Sequence, residues 1–208
     1  MSNVYNALSF LTGAASMQGL PADAGLEVAF AGRSNAGKSS ALNTVAGRRA
    51  LARTSKTPGR TQQINFFVLD ERRRLADLPG YGFAKAPLEV QRRWSALVES
   101  YLSQRRCLAG LVLLMDSRHP LTALDEQMVH WCVAAGVALH IVLTKSDKLG
   151  RGAASQALAH TRRALAPLGD GVGVQLFSAT RGDGLDALRA RIDAWLELPA
   201  RAAAGEAR

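Results

Sequence analysis

The chain has 208 residues, of which 48% are hydrophobic, and this is enough apolar material for the core of one domain. Its formal net charge is +9, and its two cysteines lack CxxC or other metal-ligand spacing, so composition argues against a disulfide framework and a zinc site. The longest apolar run, residues 108–115, is too short to span a bilayer, so we expect a soluble, cytoplasmic protein without a membrane partner.

Short apolar runs alternate with amphipathic segments along the chain. The runs predict six strands, over residues 26–31, 64–69, 75–78, 108–115, 137–143 and 172–177. The other segments predict five helices, over residues 39–46, 88–105, 123–135, 153–166 and 185–196. This order is typical of a doubly wound, three-layer α/β fold, with helices on both faces of a mostly parallel six-stranded sheet.

One pair of predicted strands breaks the alternation. Only the charged turn 70–73 separates the second strand from the third, so we expect a hairpin that places one antiparallel strand in the sheet. Residues 1–21 are expected to be weakly ordered or packed on the domain, residues 22–198 to form the domain, and residues 199–208 to be a disordered tail.

A glycine-rich loop follows the first predicted strand. Its residues match the pattern GxxxxGKS and are Gly32, Arg33, Ser34, Asn35, Ala36, Gly37, Lys38 and Ser39, with Ser40 beside them. The glycines let the backbone N–H groups surround a polyphosphate, and the following helix adds its positive N-terminal end. Lys38 can contact the outer phosphates, and the Ser39 hydroxyl can ligate Mg²⁺. The chain is therefore predicted to bind a nucleotide.

A second motif that would face the phosphates follows the third predicted strand. It consists of Asp77, Leu78, Pro79 and Gly80. The Asp77 carboxylate can hold Mg²⁺ through water, while Gly80 offers a backbone N–H to a terminal phosphate and can rearrange when that phosphate leaves.

Two later motifs concern the base. After the fifth strand come Thr144, Lys145, Ser146 and Asp147, and at the end of the sixth come Phe177, Ser178 and Ala179. Asp147 can accept hydrogen bonds from the ring N–H and the exocyclic amine of guanine, and the Lys145 stem can cover the ring. Adenine would leave that carboxylate unpaired, so the sequence favours GTP and GDP.

A polar segment, residues 53–63, lies between the first helix and the second strand. Its composition is typical of a loop that closes over the terminal phosphate, with a threonine hydroxyl on magnesium. Thr54, Thr57 and Thr61 are candidates, and spacing alone does not choose among them.

Basic residues are concentrated in one part of the chain. From Arg33 to Arg74 there are ten Lys or Arg residues against two acidic ones, Asp70 and Glu71. Two interpretations stay open: a solvated surface that keeps the protein soluble, or a patch that faces RNA.

The motifs GRSNAGKSS, TSKTPGRTQQINFF, DLPGYGFAK, DSRHP, TKSD and FSA, in this order, closely resemble the EngB family of bacterial GTPases over residues 20–196. That resemblance selects Thr61 as the magnesium-ligating threonine and adds nucleotide contacts from Gly59, Arg60, Gln62 and Gln63. It also implies a monomer acting in assembly of the large ribosomal subunit, with ribosomal RNA as a partner and with a link to cell division and septation.

Two positions bear on catalysis, in which Lys38, Thr61 and Gly80 are expected to take part. Tyr81 stands where small signalling GTPases carry a water-orienting glutamine, so intrinsic hydrolysis is expected to be slow. Asn35 resembles the asparagine that holds K⁺ in some related GTPases; the alternative is that it only stabilises the loop.

Three functions compete at this point. The first is a regulatory GTPase that docks on a pre-ribosomal particle and leaves after hydrolysis. The second is a metabolic kinase or ATPase, which Asp147 argues against. The third is a nucleotide-responsive RNA-binding module with negligible catalysis.

Overall fold

A computed structural model describes residues 3–48, 51, 63–82, 87–169 and 171–199. Its strands are β1 (Ser9–Ala14), β2 (Leu26–Gly32), β3 (Ile64–Val68), β4 (Arg73–Asp77), β5 (Leu108–Asp116), β6 (Leu139–Thr144) and β7 (Gly173–Leu176). Its α-helices are α1 (Lys38–Ala46), α2 (Leu88–Gln104), α3 (Ala123–Ala134), α4 (Arg151–Leu165) and α5 (Leu185–Trp195).

The strands form one sheet in the order β1-β3-β4-β2-β5-β6-β7. β3 runs antiparallel to both of its neighbours, β1 and β4, whereas the remaining neighbours are parallel. The predicted α/β class, the hairpin and the single reversed strand are therefore confirmed. The carboxyl ends of the parallel strands meet at one edge of the sheet, which is where α/β folds bind ligands.

Each face of the sheet is covered by its own set of helices. On one face, α2, α3 and α4 pack on the sheet through residues such as Val98, Met128 and Leu165. On the other, α1 and α5 do so through residues such as Leu42 and Ile192. Because side chains alternate along β2, Phe30 joins the second cluster while its neighbours Ala29 and Ala31 join the first.

The described part of the sheet has seven strands, so the predicted count of six was wrong. The additional strand is β1, which pairs with β3 at the sheet edge. Phe10 and Leu11 on this strand are 61% and 47% exposed. An edge strand that buries so little lacks the apolar alternation from which strands are predicted.

The segment before β1 packs on the domain through specific contacts. Tyr5 is fully buried, and its hydroxyl donates to Asp193 of α5 at 2.5 Å. Of the expected tail, residues 199–208, all but Pro199 lie outside the described residues. None of the described helices is long and apolar enough to cross a membrane.

Candidate functional site

The glycine-rich loop joins the carboxyl end of β2 to the start of α1. Gly32 closes the strand, and a Cβ there would lie 2.7 Å from the Leu114 carbonyl oxygen, so only glycine fits. Asn35 and Gly37 adopt positive φ angles of 65° and 90°, which turn the chain into the helix. Gly37, the N-cap of α1, has no side chain to cap the helix, and the first N–H groups of an α-helix have no acceptor within the helix. The loop thus has the shape of an anion cradle.

The segment after β6 supports this loop from the side. The Thr144 hydroxyl donates to the Ala36 carbonyl at 2.5 Å, and the Lys145 ammonium donates to the Asn35 carbonyl at 2.6 Å. Lys145 itself has a positive φ of 58°. Side chains of the loop expected to bind the base therefore hold backbone carbonyls of the loop expected to bind phosphates.

Lys38, the first residue of α1, forms an ion pair with Asp77, the last residue of β4. Their side chains are only 12% and 9% exposed, so the pair is shielded from water. Both residues come from motifs predicted to face the phosphates, and the fold brings them into contact. Ser39 follows Lys38 in the first turn of α1.

This corner has the chemistry of a magnesium site. A hydroxyl, a carboxylate and phosphate oxygens are hard ligands, and Mg²⁺ commonly keeps several waters beside one or two protein groups. The described residues contain no group of three or more His, Cys, Asp or Glu side chains placed to bind a metal. Ser39 and Asp77 supply two oxygen ligands that could hold such an ion together with phosphate oxygens and water.

The two base motifs meet at the ends of β6 and β7. The Ser178 hydroxyl donates to the Asp147 carboxylate at 2.7 Å, and the Ser146 N–H donates to the Phe177 carbonyl at 3.2 Å. The hydrogen bond from Ser178 lowers the pKa of Asp147 below its ordinary value, which means that the bond stabilises the ionised carboxylate. Phe177 and Ser178 are buried, whereas Ala179 is exposed.

Asp116, at the end of β5, was not among the predicted site residues. Its carboxylate accepts hydrogen bonds from the Arg118 side chain at 2.9 and 2.7 Å and from the Lys145 ammonium at 2.9 Å. The bonds from Arg118 and then Lys145 lower the pKa of this carboxyl far below its usual range. The signal that could have revealed it is an aspartate at the carboxyl end of a parallel strand.

The turn after β4 lies directly on the phosphate loop. The Leu78 N–H donates to the Phe30 carbonyl at 2.9 Å, which extends the pairing of β4 with β2. A Cβ added to Gly80 would lie 3.5 Å from the Ser34 nitrogen. Pro79 accepts a hydrogen bond of 3.1 Å from the Trp94 indole. Gly80 is thus next to the phosphate loop, as its expected contact with a phosphate requires.

Part of the predicted site lies outside the described residues. This applies to Gly59, Arg60, Thr61 and Gln62, and to the alternatives Thr54 and Thr57. Gln63 is described and precedes β3; its side-chain oxygen would lie 2.6 Å from a Cβ added to Gly13 of β1.

The basic segment 33–74 makes many internal contacts. Among its described residues, Arg33, Lys38, Arg73 and Arg74 form ion pairs with carboxylates of this chain. Arg48 donates to the Leu8 carbonyl at 2.5 Å. Five of the described basic residues in this segment, Arg33, Lys38, Arg48, Arg73 and Arg74, therefore make contacts within the fold.

Comparison with known proteins identifies the family. The model of a family described as 50S ribosome-binding GTPase matches residues 27–145. A probable GTP-binding protein EngB of Coxiella burnetii is 54% identical over 191 residues, which cover 92% of this chain and 93% of that protein. The chain belongs to the EngB family of GTPases.

Solved structures share the EngB-family fold at lower identity. A crystal structure of a probable GTP-binding protein engB has a TM-score of 0.67 at 22% identity, with 82% of this chain and 98% of that one covered. Era in complex with MgGDPNP and nucleotides 1506–1542 of 16S ribosomal RNA has a TM-score of 0.62 at 17% identity, with coverage of 89% and 61%. The EngB-family architecture is that of the P-loop GTPases.

Proposed function

We propose that this GTPase binds Mg²⁺ and GTP in the cradle and acts as a slow, partner-stimulated switch in assembly of the large ribosomal subunit. The observation that carries the choice of base is the Asp147 carboxylate, held at 2.7 Å by Ser178 between the loops that follow β6 and β7. Such a carboxylate matches the two donors of guanine and has no matching pair on adenine.

In this proposal the residues on the phosphate side have separate roles towards the bound nucleotide and its Mg²⁺. Lys38 turns to the outer phosphates, while Ser39 and Thr61 ligate Mg²⁺ and Asp77 holds it through water. Mg²⁺ would neutralise charge that develops on the phosphates. The Lys38–Asp77 ion pair supports this division, because it already holds both side chains at the cradle. When nucleotide binds, Lys38 would exchange Asp77 for a phosphate, and Asp77 would exchange Lys38 for the water of Mg²⁺.

Slow hydrolysis is supported by the orientation of Tyr81. Its hydroxyl donates to Asp125 at 3.0 Å, and the residue is 3% exposed. A side chain bound in this way does not orient an attacking water, the task that glutamine performs in small signalling GTPases. A partner would therefore have to complete the catalytic machinery.

The ribosomal role has support of a different kind. The family description names 50S binding, and the structural neighbour Era is described with ribosomal RNA. In this chain α4 carries Arg151, Arg162 and Arg163 and no acidic residue, so phosphate groups of RNA could be paired there. We regard the link with septation as an indirect result of impaired translation in the cytoplasm.

The second candidate is a nucleotide-responsive RNA-binding module with negligible catalysis, which the arginines of α4 favour equally. Co-sedimentation with large-subunit particles, in a GTP analogue and in GDP, tests the switch. We expect the monomer to sediment with particles in the analogue and to remain free in GDP. Equal sedimentation in both nucleotides would remove the switch, and binding without GTP turnover on the particle would favour the second candidate.

A further inference from the structure

One buried carboxylate outside the predicted site links three parts of the molecule. Asp125 lies in the first turn of α3 and is fully buried. Its Oδ2 accepts hydrogen bonds from the N–H and the hydroxyl of Thr122, at 3.0 and 2.8 Å, which close the start of the helix. Helix capping accounts for these two bonds only, and two further contacts of Asp125 reach the nucleotide cradle.

The first of these contacts is with the residue after Gly80. The Tyr81 hydroxyl donates to Asp125 Oδ1 at 3.0 Å. Burial, followed by the charge of Asp125, raises the pKa of Tyr81 well above its ordinary value, so the hydroxyl keeps its proton and can donate. The Tyr81 ring centroid lies 5.3 Å from that of Trp94, whose own indole holds Pro79.

The second contact is with the phosphate loop. Arg33 Nε lies 3.2 Å from Asp125 Oδ2, an ion pair whose angle is not that of a hydrogen bond. Another guanidinium nitrogen of Arg33 donates to the His119 carbonyl at 3.0 Å. Arg33 follows Gly32 directly in the loop, so its side chain connects the cradle to the start of α3.

Tyr81 also joins the phosphate loop through its backbone. Its carbonyl accepts a hydrogen bond of 2.7 Å from the Ser34 N–H, and its N–H lies 3.4 Å from the Gly32 carbonyl. Gly80 is therefore held between two fixed points, the end of β4 and an anchored Tyr81. The position of the Gly80 N–H above the loop depends on that anchor.

We propose that Asp125 is a positioning residue for GTP hydrolysis, which through Tyr81 and Arg33 holds Gly80 against the phosphate loop. This inference rests on the proposed contact of the Gly80 N–H with the terminal phosphate. That phosphate is the γ-phosphate, which GDP lacks, so the network distinguishes the two nucleotides. Loss of this network lowers the affinity for GTP and slows hydrolysis, while the affinity for GDP stays unchanged.

Tyr81→Phe tests the proposal because it removes one hydroxyl and keeps the ring that packs on Trp94. We expect kcat and the affinity for a non-hydrolysable GTP analogue each to fall about tenfold, the size of one hydrogen bond to a charged group. GDP affinity should stay within about twofold of the parent value, since GDP lacks the γ-phosphate that the Gly80 N–H is proposed to contact. Fluorescent nucleotide titrations and single-turnover hydrolysis measure these quantities.

A matched control exists at the other end of the sheet. Tyr101 is also fully buried, and its hydroxyl donates to the buried carboxylate of Glu27 at 2.6 Å. Tyr101→Phe removes an equivalent bond away from the cradle, so it should lower Tm comparably and leave both nucleotide affinities and kcat unchanged. Asp125→Asn is the second variant; it removes the charge opposite Arg33, and it should lower kcat and the affinity for the GTP analogue, as Tyr81→Phe does, while GDP affinity stays unchanged.

Three results would overturn the proposal. They are unchanged kcat and analogue affinity in Tyr81→Phe, an equal loss of GDP and analogue affinity, and a gain in analogue affinity. These results are separate from failure of the proposed function, because that failure would appear in the parent protein as absent selectivity for guanine nucleotides or absent turnover.

Discussion

The hydroxyl of Ser178 donates a hydrogen bond of 2.7 Å to the carboxylate of Asp147, across two loops that are 31 residues apart in sequence. One loop follows β6 and the other follows β7, and these two parallel strands are adjacent in the sheet. The bond turns the carboxylate into a fixed acceptor and lowers its pKa. Selectivity for guanine is therefore expected to depend on both residues.

Asp147→Asn should lower the affinity for GTP about 10- to 100-fold, since hydrogen bonds to a charged carboxylate are replaced by weaker bonds to a neutral amide. It should also favour xanthine nucleotides, because an amide can donate to the second ring carbonyl that xanthine carries. Competition titrations with GTP, XTP and ATP measure both effects. Ser178→Ala is the control that keeps the carboxylate, and it should lose less affinity. Unchanged GTP affinity in Asp147→Asn would reject the base assignment.

Potassium dependence is the next prediction, and it tests whether Asn35 acts as an ion ligand or only as a loop residue. Asn35 is exposed at the cradle with a positive φ of 65°, while its backbone carbonyl is held by Lys145. If K⁺ binds there, GTP turnover will be faster in potassium than in sodium buffer, and Asn35→Ala will abolish the difference. Equal rates in the two buffers would leave Asn35 only a stabilising role.

The buried charge cluster around Glu27 should determine stability rather than activity. Glu27 is fully buried and accepts hydrogen bonds from Arg74 Nε at 2.5 Å and from Arg105 at 3.0 and 2.9 Å. Glu27→Gln leaves these guanidinium groups uncompensated, which should lower the free energy of unfolding by about 3–5 kcal/mol. Urea denaturation measures this change.

A control for that variant is available on the surface. Glu89 and Arg93 form an ion pair with side chains 75% and 78% exposed, so Glu89→Gln should have no measurable effect. GTP affinity should be unchanged in folded Glu27→Gln, because Glu27 is the second residue of β2 and the cradle follows the opposite end of that strand. A stability loss no larger than that of Glu89→Gln would contradict the prediction.

Acid should destabilise the fold through Asp23. Burial alone would raise the pKa of this carboxyl, but bonds from the Cys107 and Arg106 N–H groups outweigh it and lower the pKa from 3.8 to about 2. A carboxyl whose folded pKa is depressed binds its proton more readily when unfolded. Its contribution is therefore complete above pH 3.8 and is lost as the pH falls towards 2.

Thermal unfolding between pH 6 and about pH 2.5 measures this loss, which follows from proton linkage. Asp23→Asn should be less stable than the parent at pH 6 and should show a shallower decline of Tm with acid. Parallel curves for the parent and the variant would show that Asp23 does not contribute to the acid transition.

Much of the fold was predictable because its signals are local. The apolar runs of β2, β5 and β6 and the intervening helical periodicity predicted the α/β class and helices on both faces. β1 was missed because an edge strand with exposed Phe10 and Leu11 has no buried face to impose a pattern. The bonds of Asp116 with Lys145 and of Asp125 with Tyr81 were not predictable, because each joins segments that are distant in the sequence.

The sequence by itself determined the family, the phosphate loop and the order of the motifs, since glycine spacing and charged residues at strand ends can be read locally. Only the tertiary structure decided which groups meet. It joined Lys38 to Asp77 and Ser178 to Asp147. It also placed Arg33, Arg73 and Arg74, among the described residues of the basic segment, in internal ion pairs. The physical reason is that a parallel sheet places the carboxyl ends of all its strands side by side, although these ends are far apart in the sequence. Charged groups buried there are stable only when they are paired.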